Sequence, residues 1–139
     1  MKTCQIETFS RFLTLISHFV LTLTVLMGRE ENVLACLPLD HTELDLTRKD
    51  TELAAGLGVT IALLGIEMIG FMSGLTMFSP LQSLLSIGTH ATATIALAYL
   101  LLDIWDCDLF WWIFSVCSCF PAVVELTIIV GVLGLKKHV

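Results

Sequence analysis

Charge is what this chain has least of. Lys, Arg, Asp and Glu make up 14% of its 139 residues, and no stretch gathers basic side chains. Seven basic residues stand against 13 acidic ones, for a net charge of −6. That balance, without a basic patch, excludes nucleic acid as a partner. Proline is scarce, with three in the chain. The single asparagine, Asn32, is followed by Val33 and Leu34, so no Asn-x-Ser/Thr glycosylation acceptor exists. The catalytic signatures HExxH and GxSxG are missing, as are a paired-Asp motif and Cys/His spacings that hold a metal. The sequence therefore predicts no enzyme, no cofactor and no metal site.

What the chain has instead is apolar length. Hydrophobic residues make up 56% of it, more than a soluble domain of this size can hide. Four runs, 9–27, 53–78, 81–102 and 109–135, are long enough to cross a bilayer. A spanning helix needs about 20 apolar residues to cover about 30 Å of hydrocarbon. Backbone groups in lipid must bond internally, which leaves helices or closed barrels, and these runs are too long for barrel strands and do not alternate. The expected fold is one all-α membrane domain over residues 1–139: a bundle of four transmembrane helices with one long outer loop, 28–52. Leu34-Ala35-Cys36 looks like a lipoprotein cleavage site, but Arg29-Glu30-Glu31-Asn32 separates it from the apolar run, so no cleavage is expected.

Four spans place both termini on one side. The termini carry Lys2, Arg11, Lys136 and Lys137, while Arg29, Arg48 and Lys49 all lie in the long loop. Counting Lys and Arg alone, the termini are predicted cytoplasmic and the loops outside or lumenal. Trp105, Trp111 and Trp112 cluster at the third loop, where amphipathic rings suit the headgroup layer.

Each span carries one ionisable residue near its middle: His18, Glu67, His90 and Glu125. Such a group at mid-bilayer costs about 2.5–3.5 kcal/mol on insertion scales, so each needs a partner. Each lies on the small and polar side of its helix. Span 1 offers Arg11, Thr14, His18 and Thr22; span 2 offers Gly56, Thr60, Leu63, Glu67, Gly70 and Gly74. Span 3 offers Ser83, Ser86, His90 and Thr94, with Gly88, Thr92 and Ala96 alongside; span 4 offers Ser115, Ser118, Ala122 and Glu125. Gly56, Gly70, Gly74 and Gly88 are the expected points of close helix approach, with Gly70–Gly74 a GxxxG pair. The four ionisable residues read as polar packing between helices. The alternative is a small proton- or ion-coupled transporter or channel subunit that uses them as a path, although no inverted repeat or paired broken helix supports it. The pairing of His18 with Glu67 or with Glu125 stays open.

Ser79-Pro80 joins spans 2 and 3 in a tight hairpin, Ser79 as cap and Pro80 in the first turn. Pro121, one turn before Glu125, predicts a kink. Cys36 and Cys107 fall on the same side and are expected to pair if that side is oxidising. Cys117 and Cys119 read as packing residues, and Cys4 is juxtamembrane.

Read in order, these segments resemble the transmembrane protein 107 family. The resemblance rests on Ser10-Arg-Phe-Leu-Thr-Leu-Ile-Ser-His18, Ala35-Cys-Leu-Pro-Leu39, Glu67 with Gly70-Phe71, Ser73-Gly74 and Met77-Phe78, Gln82-Ser-Leu-Leu-Ser-Ile-Gly-Thr-His90, Phe114, Pro121-Ala-Val-Val-Glu125 and Gly134-Leu-Lys-Lys137. It implies a four-span protein with cytoplasmic termini in the ciliary membrane at the transition zone. It implies a non-enzymatic scaffold that helps recruit or retain proteins of the Meckel-syndrome (tectonic-like) complex, supporting cilium assembly and Hedgehog-type signalling. The expected partners are membrane lipids and those complex members, with self-association open.

Overall fold

The computed structural model describes residues 2–74 and 79–138, the side chains from 136 onward excepted. It is helical throughout, in the order α1 (Lys2–Gly28), α2 (Glu30–Ala35), α3 (Glu43–Met72), α4 (Pro80–Leu102), α5 (Cys107–Phe114), a π-helical turn (Ser115–Cys119) and α6 (Phe120–His138). Four stretches are long and apolar enough to cross a membrane: α1, α3, α4 and the run Cys107–Leu135 that joins α5 through the π turn to α6. Both termini and the α3–α4 hairpin lie at one end of the bundle, here the terminal end. The α1–α3 and α4–α5 connections lie at the other, the loop end.

The buried positions explain the packing. On α1 they are Arg11, Leu15, His18, Thr22 and Val25; on α4 they include Ser83, Ser86, His90, Ala93, Leu97 and Leu100. Steps of three and four residues keep one seam turned towards a neighbour, the pattern of left-handed helix pairing. α1 packs chiefly along α4 through these two seams. The core then divides by chemistry. At the loop end Val25, Val33, Leu53, Leu57, Leu97, Leu100, Cys107 and Phe110 form one apolar cluster. Towards the terminal end the buried side chains include Arg11, His18, Glu67, Gln82, Ser86, His90 and Glu125.

Two features at the loop end differ from expectation. α3 begins at Glu43, ten residues before 53, because Thr42 and Asp45 form a capping box: the Thr42 hydroxyl accepts from the Asp45 amide at 3.2 Å, and the Asp45 carboxylate accepts from the Thr42 amide at 3.2 Å. The outer loop contains a short helix, α2, whose Asn32 is buried and donates to the carbonyls of Leu100 (2.7 Å) and Trp105 (2.8 Å). The far end of the second predicted span, 75–78, lies outside the described residues. Ser79 and Pro80 take up the expected cap and first-turn positions of α4.

The fourth span changes phase at the π turn. A π turn holds one extra residue, so the helix face rotates past it. Ser115, expected to face inward, is exposed, while Cys117 and Ser118 are buried. The turn ends just before Pro121, which cannot donate to the carbonyl four residues back, so the widened turn sits where proline disrupts the regular ladder.

At the loop end Cys36 and Cys107 are joined in a disulfide, Cα atoms 5.7 Å apart. Arg29 grips Asp50 through two contacts, at 2.8 and 3.1 Å, and Lys49 reaches Asp108 at 3.2 Å. Trp105 stacks on Tyr99, and Trp111 meets Phe110 and Phe114 edge-on.

Candidate functional site

The ionisable core residues form two groups at different depths. The nearer to the terminal end centres on Glu125 of α6. Its carboxylate accepts from the Arg11 guanidinium at 2.8 Å and from the Gln82 amide at 2.5 Å, tying α6 to α1 and α4. Arg11 also donates to the Ser86 hydroxyl at 3.2 Å and lies over the Phe71 ring, 5.2 Å from its centre. Arg11 and Glu125 are both fully buried. A charge-assisted pair of this kind neutralises two groups that lipid would otherwise reject.

The second group is a chain of three side chains. His18 of α1 meets His90 of α4, Nδ1 to Nδ1, at 2.8 Å. The other ring nitrogen of His90, Nε2, meets Glu67 Oε2 of α3 at 2.7 Å. Glu67 Oε1, with no hydrogen-bond partner among the described residues, is buried beside them. His18 therefore meets neither glutamate as its first partner; it reaches Glu67 through His90. Seven residues, about 10 Å of helix rise, separate Arg11 from His18 on the same face, which sets the two groups at different depths.

The glycines divide in the same way. A methyl group at Gly70 would lie 2.6 Å from Glu125 Oε1 and 3.1 Å from Ile129, so Gly70 is where α3 admits the Glu125 carboxylate. At Gly56 it would lie 2.8 Å from the Phe110 ring. The other two do not sit at helix contacts among the described residues. Gly74 ends α3 in the left-handed conformation, with φ +78°, a role glycine fills without strain. Gly88 faces outward with no atom within 4 Å, because the inward seam of α4 runs through Ser86 and His90 instead.

Gln82 and Asn32 are polar anchors that the sequence does not mark. Arg11 reads both as a charge of the terminal side and as part of the polar side of span 1, and the structure places it in the core. Its place seven residues before His18, on one helical face, was the available signal. No comparable signal marks Gln82. The Cys36 and Cys107 sulfurs and an Asp108 oxygen lie within 4.8 Å of one another, but the sulfurs are bonded to each other and so offer no thiolate to a metal.

Fold and site together define a four-span membrane protein whose helices are joined, in the terminal half of the core, by a buried ion pair and a His–His–Glu chain. The family model TMEM107, a transmembrane protein, matches residues 8–129, which include every residue of both polar groups. Transmembrane protein 107 of Xenopus laevis is 50% identical over 128 residues, covering 92% of this chain and 91% of its own length. The Homo sapiens protein of that name is 45% identical over the same shares, and the Danio rerio one is 45% identical over 122 residues, 88% of this chain and 90% of its own. The chain belongs to the transmembrane protein 107 family. No solved structure matches it.

Proposed function

We propose that this protein is a non-enzymatic scaffold of the ciliary transition-zone membrane, helping recruit or retain proteins of the Meckel-syndrome complex and so supporting cilium assembly and Hedgehog-type signalling. The family resemblance along nearly the whole chain carries this reading. The architecture is consistent with it: short connections and a sealed polar core leave the lipid-facing surfaces and loops as the parts able to meet partners. Its termini face the cytoplasm. The Cys36–Cys107 disulfide at the loop end supports that orientation, because disulfides persist in oxidising compartments. The Lys and Arg count no longer gives a direction once Arg11 is placed in the core, since Lys2, Lys136 and Lys137 then balance Arg29, Arg48 and Lys49.

A proton- or ion-coupled transporter is the second reading, favoured by the His18–His90–Glu67 chain. Two features weigh against it. Towards the loop end, beyond the buried Thr22 and Thr60, lies the apolar cluster of Val25, Leu57, Leu97 and Phe110. Towards the terminal end stand Arg11 and Glu125, closed on each other at 2.8 Å. Imaging of the tagged full-length protein against cilium-base markers tests the scaffold. A focused signal at the base, lost when the complex is depleted, is expected; a uniform plasma-membrane or reticular signal contradicts it.

A further inference from the structure

The hydrogen-bond pattern of the His18–His90–Glu67 chain restricts where protons can be. An Nδ1···Nδ1 contact at 2.8 Å holds one proton between His18 and His90, and the 2.7 Å contact holds one between His90 and Glu67. Two proton counts satisfy both contacts. With two protons, His18 Nδ1–H donates to His90, and His90 Nε2–H donates to an ionised Glu67, leaving a net charge of one negative. With a third proton the chain is neutral in sum, either with an imidazolium, His90 or His18, against an ionised Glu67, or with Glu67 as the acid. In the second arrangement Glu67 Oε2–H donates to His90 Nε2, His90 Nδ1–H donates to His18 Nδ1, and His18 carries its own proton on Nε2.

Two observations favour a chain that is neutral in sum, and a third, the unpartnered Oε1, places the extra proton on Glu67. Both carboxylate and rings are fully or almost fully buried, where an uncompensated charge is costly. Glu67 Oε1 has no hydrogen-bond partner among the described residues, which suits the carbonyl oxygen of an acid better than half of a carboxylate. The surrounding helices supply no net positive charge. From α1 the chargeable groups in this part of the core are Arg11 and His18, from α3 Glu67, from α4 His90, from the π turn the Cys117 thiol, and from α6 Glu125. Arg11 is committed to Glu125 at 2.8 Å, so that pair is neutral in sum.

We infer that His18, His90 and Glu67 form a proton-binding site within the membrane span, holding its proton on the Glu67 carboxyl, as the two contacts and the unpartnered Oε1 indicate. The proton joins three helices, since its loss would leave an unpaired negative charge between α1, α3 and α4. This site is independent of where in the cell the protein resides.

The test is nitrogen-15 NMR of histidine-labelled full-length protein in lipid nanodiscs at neutral pH, joined to infrared spectroscopy. The expected spectrum has His18 protonated at Nε2 and bare at Nδ1, and His90 protonated at Nδ1 and bare at Nε2. A protonated-carboxyl band should appear and vanish in Glu67→Gln. His18 protonated at Nδ1 and bare at Nε2 overturns the proposal, and so does a His90 ring protonated at both nitrogens. The wild-type histidine spectrum decides between these outcomes even if Glu67→Gln fails to fold.

Discussion

Arg11 on the first span and Glu125 on the fourth are 114 residues apart in sequence and 2.8 Å apart in space, with neither side chain exposed. This contact joins the two ends of the chain across the bundle. It also explains Gly70, whose missing side chain leaves room for the carboxylate beside α3.

Gly70→Ala should therefore destabilise the bundle by about 1–3 kcal/mol, the usual cost of overpacking a filled core. Its added methyl would lie 2.6 Å from a carboxylate oxygen that Arg11 and Gln82 hold in place. Gly88→Ala, at an open position inside α4, should raise stability by up to about 1 kcal/mol, the helix-propensity difference between the two residues. Thermal unfolding of both variants in the same detergent checks the contrast. Equal losses would mean that Glu125 is not held against α3.

The disulfide closes a loop between residues 71 apart in sequence. Restricting the unfolded chain in this way stabilises by about 4 kcal/mol on the loop-entropy scale. Cys36→Ser, Cys107→Ser and the double variant should lose similar amounts, because each removes the same bond. Unfolding in the presence and absence of reductant measures this. A double variant that loses about the sum of the two singles would show that the thiols act separately.

Ile104, with φ 50°, holds a left-handed conformation at the end of α4, where a β-branched residue is strained. The turn is closed by the Trp105 amide donating to the Leu100 carbonyl at 3.1 Å. Ile104 is 46% exposed, so little packing is lost on its removal. Ile104→Gly should raise stability by about 1 kcal/mol, the size of the left-handed penalty. A fall in melting temperature would mean that Ile104 contributes more by contact than it costs by strain.

The four spans were legible because lipid demands long apolar helices, and because buried polar groups then stand out against them. His18, Glu67, His90 and Glu125 could be picked out for that reason. Their pairing could not. Arg11 falls on the polar side of span 1 in the sequence, but its partners emerge only when α4 and α6 bring Ser86 and Glu125 to it. The small residues of α4 lie on two neighbouring faces, and sequence alone does not tell which of them meets a partner helix; Ser86 turned inward and Gly88 outward. Ser115 was misplaced by the π turn, whose extra residue leaves no periodic trace. The stretch from Thr47 onward reads as an extension of span 2 by a turn or more; the start at Glu43 is set by Thr42 and Asp45 at capping-box spacing, which lies outside the apolar run.

The central claim is that the buried charges hold the helices in register by pairing with one another. A double-mutant cycle on Arg11→Leu and Glu125→Leu, read as unfolding free energy of the full-length protein in bilayer-like micelles, tests it most directly. Each single variant leaves an uncompensated buried charge and should cost about 3–5 kcal/mol, while the double variant should recover much of that loss. Losses that simply add would mean that Arg11 and Glu125 act independently, and would contradict the account.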